Sequence, residues 1–170
     1  MDCLATAAQA GDRQALDTFV RTIQADVWRF CAHLTRPGEA DDPAQESLQR
    51  VVAHLDRWRR GPVITWVFGV TRNVCFEDIR KGTRRRTDPA AEPIQPPTPD
   101  QYGAVETRRL LDGLPFDQRE ALVLTQLLGL TYADAADVVG CPIGTIRSRV
   151  ARGRHAMAEE LRAGRNVADG

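Results

Sequence analysis

Four arginines lie close together near the end of the chain, in the segment "GCPIGTIRSRVARGRHAM". They are Arg147, Arg149, Arg152 and Arg154. An arginine guanidinium can donate two parallel hydrogen bonds to a guanine edge in the DNA major groove, and it can also pair with phosphate oxygens. Since the whole chain carries 23 basic and 23 acidic residues, this cluster is a local feature and does not follow from overall charge. The segment therefore indicates binding to nucleic acid.

Helical periodicity gives this segment two different faces. At ~100° per residue, Ile146, Val150 and Met157 fall on one side of a helix from about residue 143 to residue 161. The predicted buried side also includes Ile143, Gly153 and Leu161. The opposite side carries Gly144, Ser148, Ala151, Arg152 and His155. Small residues among arginines would let this side approach a DNA groove closely, although many arginine-rich helices are simply solvated.

The preceding residues favour a helix-turn-helix. "YADAADVV" is long enough for about two helical turns, and "GCP" then predicts a tight turn. Thr131 stands three residues before Asp134, which is close to a capping box at a helix start. A short helix, a tight turn and an exposed second helix are the parts of a DNA-reading helix-turn-helix.

The first half of the chain also has helical patterns. "DRQALDTFVRTIQADVWRFCAHL" and "VITWVFGVTRNVCFEDIRK" repeat apolar residues at three- and four-residue steps. In "EADDPAQESLQRVVAHL", Asp42 is predicted as the N-cap and Pro43 as the first helical residue. No segment shows the alternation of a half-buried strand. The sequence predicts an all-α fold.

Five prolines divide the chain. They fall between residues 82 and 100, at positions 89, 93, 96, 97 and 99, and such a density excludes a regular helix or a central strand. We therefore predict two small helical domains joined by an extended proline-rich linker. The predicted boundaries are 1–81 for the first domain, 82–100 for the linker, 101–165 for the second domain and 166–170 for a tail.

Residues that could form an enzyme site are scattered. The four cysteines, Cys3, Cys31, Cys75 and Cys141, lie far apart in sequence, so no metal-binding cysteine motif is present. Buried or half-buried thiols are the expectation for the last three, with a redox or metal role left open. The sequence also has no phosphate-binding glycine loop and no run of about 20 apolar residues. We expect a cytoplasmic protein that is not an enzyme, with no cofactor, no metal and no membrane contact.

The second half resembles a known family. "LPFDQREALVLTQLLGLTYADAADVVGCPIGTIRSRVARGR" is similar to region 4 of the extracytoplasmic-function (ECF) sigma factors, which are sigma-70-type subunits of bacterial RNA polymerase. Its "LTQLLGLTYADAA" stretch is most similar to the actinobacterial sigma-C branch. The resemblance implies that this half reads the −35 promoter element. The implied base-reading residues are Arg147, Ser148, Ala151 and Arg152, and the implied phosphate contacts are Thr145, Arg149, Arg154 and His155.

The segment "ADDPAQESLQRV" resembles the region 2 helix that docks on core RNA polymerase. The implied docking residues are Asp41, Asp42, Gln45, Glu46 and Arg50. The family usually has a leucine where this chain has Pro43, and that difference bears on how the helix begins.

The segment "TWVFGVTRNVCFEDIRK" resembles the part of region 2 that captures the melted −10 element. An extruded base needs a pocket with polar groups and positive charge. The implied −10 residues are Arg72, Asn73 and Arg80, joined by Trp58 and Arg59 of the basic loop "LDRWRRGPV". Trp66 also matches the family, although packing in the core is the alternative for it. The basic run 81–86 could contact phosphates or be a solvated segment.

Together these resemblances imply a promoter-specificity subunit. It would bind core RNA polymerase, duplex DNA at −35 and melted DNA at −10, and would be a monomer when free. An anti-sigma factor is left open as a further partner. The alternatives are a conventional helix-turn-helix regulator that acts without core docking, and a protein-interaction module that does not bind DNA. Because a conventional regulator usually dimerises on palindromic sites, oligomeric state would separate it from a sigma factor.

Overall fold

Eight α-helices follow one another in the computed structural model, which describes the backbone of residues 1–84 and 102–168 and the side chains of 1–81 and 107–163. They are α1 (Asp2–Gln9), α2 (Arg13–Leu34), α3 (Asp41–Ala53), α4 (Val63–Arg84), α5 (Tyr102–Asp112), α6 (Phe116–Leu122), α7 (Tyr132–Val139) and α8 (Ile143–Ala168). A 3-10 turn at Leu55–Arg57 lies between α3 and α4. A π-helical segment at Val123–Leu127 continues α6. No strand occurs in the described parts of the chain, so the all-α prediction is confirmed.

The long helix α2 forms where the apolar repeat predicted it. The Asp12 carboxylate caps it by accepting hydrogen bonds from the backbone of Gln14 and Ala15, at 2.9 and 3.0 Å. This satisfies two of the four amide groups that a helix start leaves without a partner. Phe19 and Phe30 are fully buried on its inner face. The helix is therefore the centre of the first half.

The start of α3 differs from the prediction. Asp42 is not the N-cap, because the helix begins two residues earlier than predicted, at Asp41, with Ala40 at the N-cap position. Pro43 is then the third helical residue and not the first. Its missing N–H still costs no hydrogen bond, since the first four amides of a helix have no partner within it. The proline is buried, so it also contributes to the core.

The predicted helix-turn-helix is formed by α7 and α8. The Thr131 hydroxyl caps α7, accepting from the amide of Asp134 at 3.1 Å and donating to its carboxylate at 2.6 Å. Gly140 ends α7 with φ 73°, a left-handed conformation that glycine adopts without the strain of a side chain. Its amide and that of Cys141 both bond to the Ala136 carbonyl, and α8 then begins.

Helix α8 packs tightly on α6. Ile146 and Val150 are buried as predicted. A Cβ at Gly153 would lie 2.7 Å from Cδ1 of the buried Leu122 side chain, so a larger residue would require that side chain to shift. The prediction for Ile143 is wrong, because this residue is 39% exposed. It is the first residue of α8, three residues before the fully buried Ile146.

The two halves of the chain pack against each other. Helix α4 contacts α7, and α2 contacts α6, so buried residues from both halves form one continuous cluster. Helix α4 continues to Arg84, so the first residues of the predicted linker are helical. Helix α8 likewise enters the predicted tail and ends at Ala168. The rest of the linker prediction falls on 85–101, outside the described residues.

The cysteines lie as expected for thiols. Cys31 and Cys75 are fully buried, with their sulfurs 3.6 Å apart, while Cys141 is half-buried and Cys3 is exposed. Among the described residues, no cluster of three histidine, cysteine or acidic side chains could hold a metal ion. No helix in the described ranges combines the length and apolar character needed to cross a membrane.

Candidate nucleic-acid interface

The outer face of α8 presents the predicted base-reading residues to solvent. Arg147, Ser148, Ala151 and Arg152 are all exposed. The Ser148 hydroxyl donates to the Thr145 carbonyl at 2.9 Å. The Arg152 guanidinium donates to the Ser148 carbonyl at 3.3 Å, which is a weak contact on its own helix. This face can enter a major groove without disturbing the packing of α8.

Two of the predicted phosphate contacts are bound within their own domain. Arg149 is half-buried, with its Nε 3.1 Å from the Asp117 carboxylate of α6. Arg154 is exposed and donates to the Gln126 side chain. Both arginines flank the buried stripe of α8, so their side chains can contact neighbouring elements of the domain as well as solvent. Arg149 therefore fixes α8 on α6 in this structure.

The predicted −10 face lies along α4, next to a surface cleft of about 430 Å³. Asn73 and Trp66 line the cleft from α4, and Arg60 lines it from the preceding loop. Asp137 of α7 lines the opposite wall. Asn73 is exposed and Trp66 is half-buried against the core, which fits the core alternative for the tryptophan. The helix-turn-helix half thus covers one side of the predicted −10 face.

Arg72, also predicted for the −10 element, is engaged between the halves. Its Nε donates to Oε1 of Glu120 at 2.6 Å, and the guanidinium carbon lies 4.4 Å from the centre of the Phe76 ring. Phe76 in turn packs against Phe116 of α6 in a tilted arrangement, with 4.8 Å between the ring centres. In this arrangement Arg72 holds the second half of the chain and is not free to meet a DNA backbone.

Glu120 is the partner that sequence reasoning missed. Its side chain is almost fully buried, and burial raises its pKa even though the hydrogen bond from Arg72 favours the charged form. Glu120 matched the family pattern, but a glutamate in an amphipathic helix is usually solvated. Only the packing of α6 on the first half reveals the burial.

The remaining predicted −10 residues lie at the two ends of α4. Trp58 is half-buried in the loop before it, and its indole donates to the Gly61 carbonyl at 3.1 Å. Arg59 is exposed and donates to the Asp56 carbonyl. Arg80 is exposed near the end of the helix. Trp58 and Arg59 directly precede Arg60, which lines the cleft. Arg80 lies about two helical turns beyond Asn73 on α4.

The predicted docking residues form the outer side of α3. Asp41, Asp42 and Gln45 are exposed. Arg50 is held by two carboxylates, at 2.7 Å from Glu77 of α4 and 2.5 Å from Glu46. Hydrogen bonding to Glu77 raises the pKa of Arg50 and lowers that of Glu77. Arg50 therefore fixes α3 on α4, and the exposed acidic end of the face lies at Asp41 and Asp42.

Trp28 was not predicted and lies beside this acidic end. It is 49% exposed on α2, and its indole donates to Oδ1 of Asp41 at 2.7 Å. A tryptophan outside the buried stripe of an amphipathic helix is a signal that the sequence contained. Exposed tryptophans are enriched where proteins bind partners.

Two family models match the chain. The model for region 2 of sigma-70 matches residues 19–85, and the model for region 4 matches residues 104–157. These ranges contain α3, the residues that line the cleft beside α4, the whole of α7 and the first part of α8.

Curated relatives extend the match to most of the chain. The ECF RNA polymerase sigma factor SigC of Mycobacterium tuberculosis is 45% identical over 161 residues, covering 91% of this chain and 87% of the relative. The ECF sigma factor EcfG of Rhodopseudomonas palustris is 40% identical over 129 residues, covering 72% of this chain and 71% of the relative.

Solved structures share the architecture. The sigma factor RpoE of Bartonella quintana, in a complex with the anti-sigma factor NepR, superposes with a TM-score of 0.75 at 31% identity, covering 86% of this chain and 96% of that one. CnrH, in a complex with the cytosolic domain of CnrY, has a TM-score of 0.76 at 22% identity, covering 95% and 96%, and shows the same fold. With both conserved regions and relatives at 45% and 40% identity, the chain belongs to the ECF family of RNA polymerase sigma factors.

Proposed function

We propose that this chain docks on core RNA polymerase through α3, reads a −35 element with α8 and captures a melted −10 base in the cleft beside α4. The observation that carries the proposal is the outer face of α8. Its exposed residues combine small side chains with Arg147 and Arg152, while the opposite side is buried on α6. Such a helix can enter a major groove as a rigid body, and its arginines suit guanine edges.

The proposed domains follow the two halves: residues 1–81 for docking and the −10 element, and residues 101–165 for the −35 element. The −10 assignment requires the halves to separate. Asp137 of α7 lines the same cleft as Asn73, and Glu120 of α6 holds Arg72. A DNA strand entering the cleft would have to displace α7 and release Arg72 from the carboxylate. We infer that the packed arrangement belongs to the free monomer and that core and promoter binding open it.

The acidic end of α3 supports the docking assignment. Asp41, Asp42 and Gln45 form an exposed polar surface, in which Asp41 also accepts a hydrogen bond from the Trp28 indole. Such a surface is complementary to a basic helical partner, and like charges placed across an interface weaken association strongly. A protein that acts on RNA polymerase works in the cytoplasm, which is where we place this chain. The anti-sigma partner bound to RpoE makes a similar regulator a candidate partner here.

Charge reversal tests the docking assignment. We expect Asp42→Arg combined with Gln45→Arg to weaken binding to core polymerase by at least about tenfold. Asp17→Arg is the matched control, because Asp17 is an exposed carboxylate on α2 outside the proposed surface. Binding is measured by competition for core against a labelled wild-type chain. Equal affinities of the double variant and the wild type would exclude α3 as the docking face. Duplex DNA binding by a dimer without polymerase would instead favour a conventional regulator.

A further inference from the structure

The first helix lies outside the residues matched by the region 2 model, yet it contacts the proposed −10 site. The model begins at residue 19, whereas α1 is Asp2–Gln9. Helix α1 packs on α2 and buries Ala5 completely. It also contacts the segment between α3 and α4, residues 54–62, which we call the entry loop.

Gln9 holds the entry loop by its backbone. The side-chain amide nitrogen donates to the Leu55 carbonyl at 2.7 Å and to the Trp58 carbonyl at 2.9 Å. A glutamine amide has two N–H donors, so one side chain supplies a donor to each of these carbonyls. The 3-10 turn of the loop is thereby fixed to the end of α1.

Asp2 holds the other end of the loop, where α4 begins. The first residue of α4 is Val63, and the residue before it is Pro62, which has no side-chain acceptor to cap the helix. The Asp2 carboxylate accepts the Val63 amide at 2.9 Å instead. A carboxylate at this position also interacts favourably with the positive end of the helix dipole. Asp2 thus acts as an N-cap supplied from another helix.

These two contacts bracket the part of the loop that lines the cleft. Arg60, Gly61 and Pro62 form the loop side of the cleft, and Trp66 and Asn73 continue it on α4. Gln9 fixes the chain at Trp58, just before these loop residues, and Asp2 fixes it at Val63, just after them. The cleft wall is therefore tied at both ends to α1.

We propose that α1 is a positioning element for −10 recognition, in which Gln9 and Asp2 hold the entry loop in the geometry that accepts the extruded base. The inference rests on the proposed function of the cleft. Base selection depends on polar groups held close to one geometry, and residues that support those groups matter as much as the groups themselves. Neither residue needs to touch DNA, since both act through the loop.

Loss of the Gln9 contacts should reduce base discrimination. The measurement is the ratio of transcription from a promoter selected by the wild-type holoenzyme to transcription from the same fragment with one changed −10 base. For Gln9→Ala we expect this ratio to fall about tenfold, as suits the loss of two hydrogen bonds. Affinity for core polymerase and dependence on the −35 element should stay within about twofold, because the side-chain hydrogen bonds of Gln9 go to the entry loop and not to α3 or α8.

Conservative variants separate positioning from general stability. Gln9→Lys keeps a donor of similar reach and should recover most of the discrimination, and Asp2→Asn should do the same because asparagine caps a helix as well as aspartate. Asp2→Ala should lower the ratio as Gln9→Ala does. Gln24→Ala, an exposed glutamine on α2, is the matched control and should leave it unchanged. Because every value is a ratio between two promoters, a general change in DNA affinity cancels.

An unchanged ratio in Gln9→Ala and Asp2→Ala would overturn the inference, as would an equal loss of activity on all promoters with no change in ratio. Failure of the proposed function looks different, because the wild-type chain itself would then direct no initiation with core polymerase. Thermal unfolding of each variant shows whether the chain is folded at the assay temperature.

Discussion

The buried pair between Arg72 and Glu120 gives a prediction whose sign is counterintuitive. The Glu120 side chain is 2% exposed and that of Arg72 is 21% exposed, so the carboxylate has lost nearly all of its water. Burial raises the pKa of Glu120 despite the hydrogen bond from Arg72. The desolvation cost of the charge therefore exceeds the stabilisation that the arginine provides. A neutral side chain of the same shape should be tolerated.

We expect Glu120→Gln to change the free energy of unfolding at pH 7 by less than ~1 kcal/mol, or to increase it. Glu120→Ala should instead decrease it by ~2–3 kcal/mol, because it leaves a cavity and removes the only short-range anion that Arg72 contacts in the described structure. This loss is smaller than is usual for a broken buried ion pair, because the Arg72 guanidinium stays partly exposed to solvent and still lies over the Phe76 ring.

The pH dependence follows from the same raised pKa. A carboxyl whose pKa is higher in the folded chain than in the unfolded chain stabilises the fold fully below the unfolded value of about 4.3. That stabilisation is lost as the pH rises through the folded pKa, at ~1.4 kcal/mol for each unit of difference. The stability of the wild type relative to Glu120→Gln should therefore fall as the pH is raised from 4 towards 8.

Urea unfolding at a series of pH values, followed by circular dichroism, measures this difference. Groups that titrate in both proteins cancel when the variant is subtracted from the wild type. A difference that rises with pH, or a glutamine variant less stable than the alanine variant, would refute the assignment of net desolvation to Glu120.

Three further predictions follow from the packing of the helices and from the exposed face of α8. Gly153→Ala should destabilise the chain by ~1–3 kcal/mol in chemical unfolding, because its Cβ would lie 2.7 Å from Cδ1 of the buried Leu122 side chain. No loss would mean that this side chain can move aside at little cost. Asp12→Ala should cost ~1 kcal/mol in the same assay through the lost cap of α2, with Asp12→Asn nearly neutral. Arg147→Ala and Arg152→Ala should each lower discrimination between −35 variants by about tenfold, since a bidentate guanine contact contributes ~1–3 kcal/mol, and an effect equal on all sequences would indicate phosphate contacts instead.

Local sequence signals predicted the α7–α8 unit well. Thr131 and Gly140 act at the helix ends for reasons that depend only on neighbouring residues. Ile146 and Val150 repeat at helical spacing and are buried. Caps, turns and periodic burial are local, so one sequence is enough to find them. The prediction that Ile143 is buried was wrong, because helical spacing alone does not show whether the first turn of a helix is covered by the rest of the chain.

Contacts between distant segments could not be predicted in the same way. Glu120 pairs with a residue 48 positions away, and Gln9 bonds to carbonyls 46 and 49 positions away. Neither residue stands in a pattern that distinguishes it from a solvated surface residue. The start of α3 also depended on more than caps, because a proline loses no helical hydrogen bond at any of the first three helical positions.

The most direct test of promoter recognition is transcription in vitro by core RNA polymerase, with and without this chain, on a pool of promoter fragments. Initiation from a discrete subset that shares −35 and −10 sequences, and only when the chain is present, is the predicted result. Absence of chain-dependent initiation, together with duplex binding by the chain alone, would contradict the roles assigned to α3 and α4.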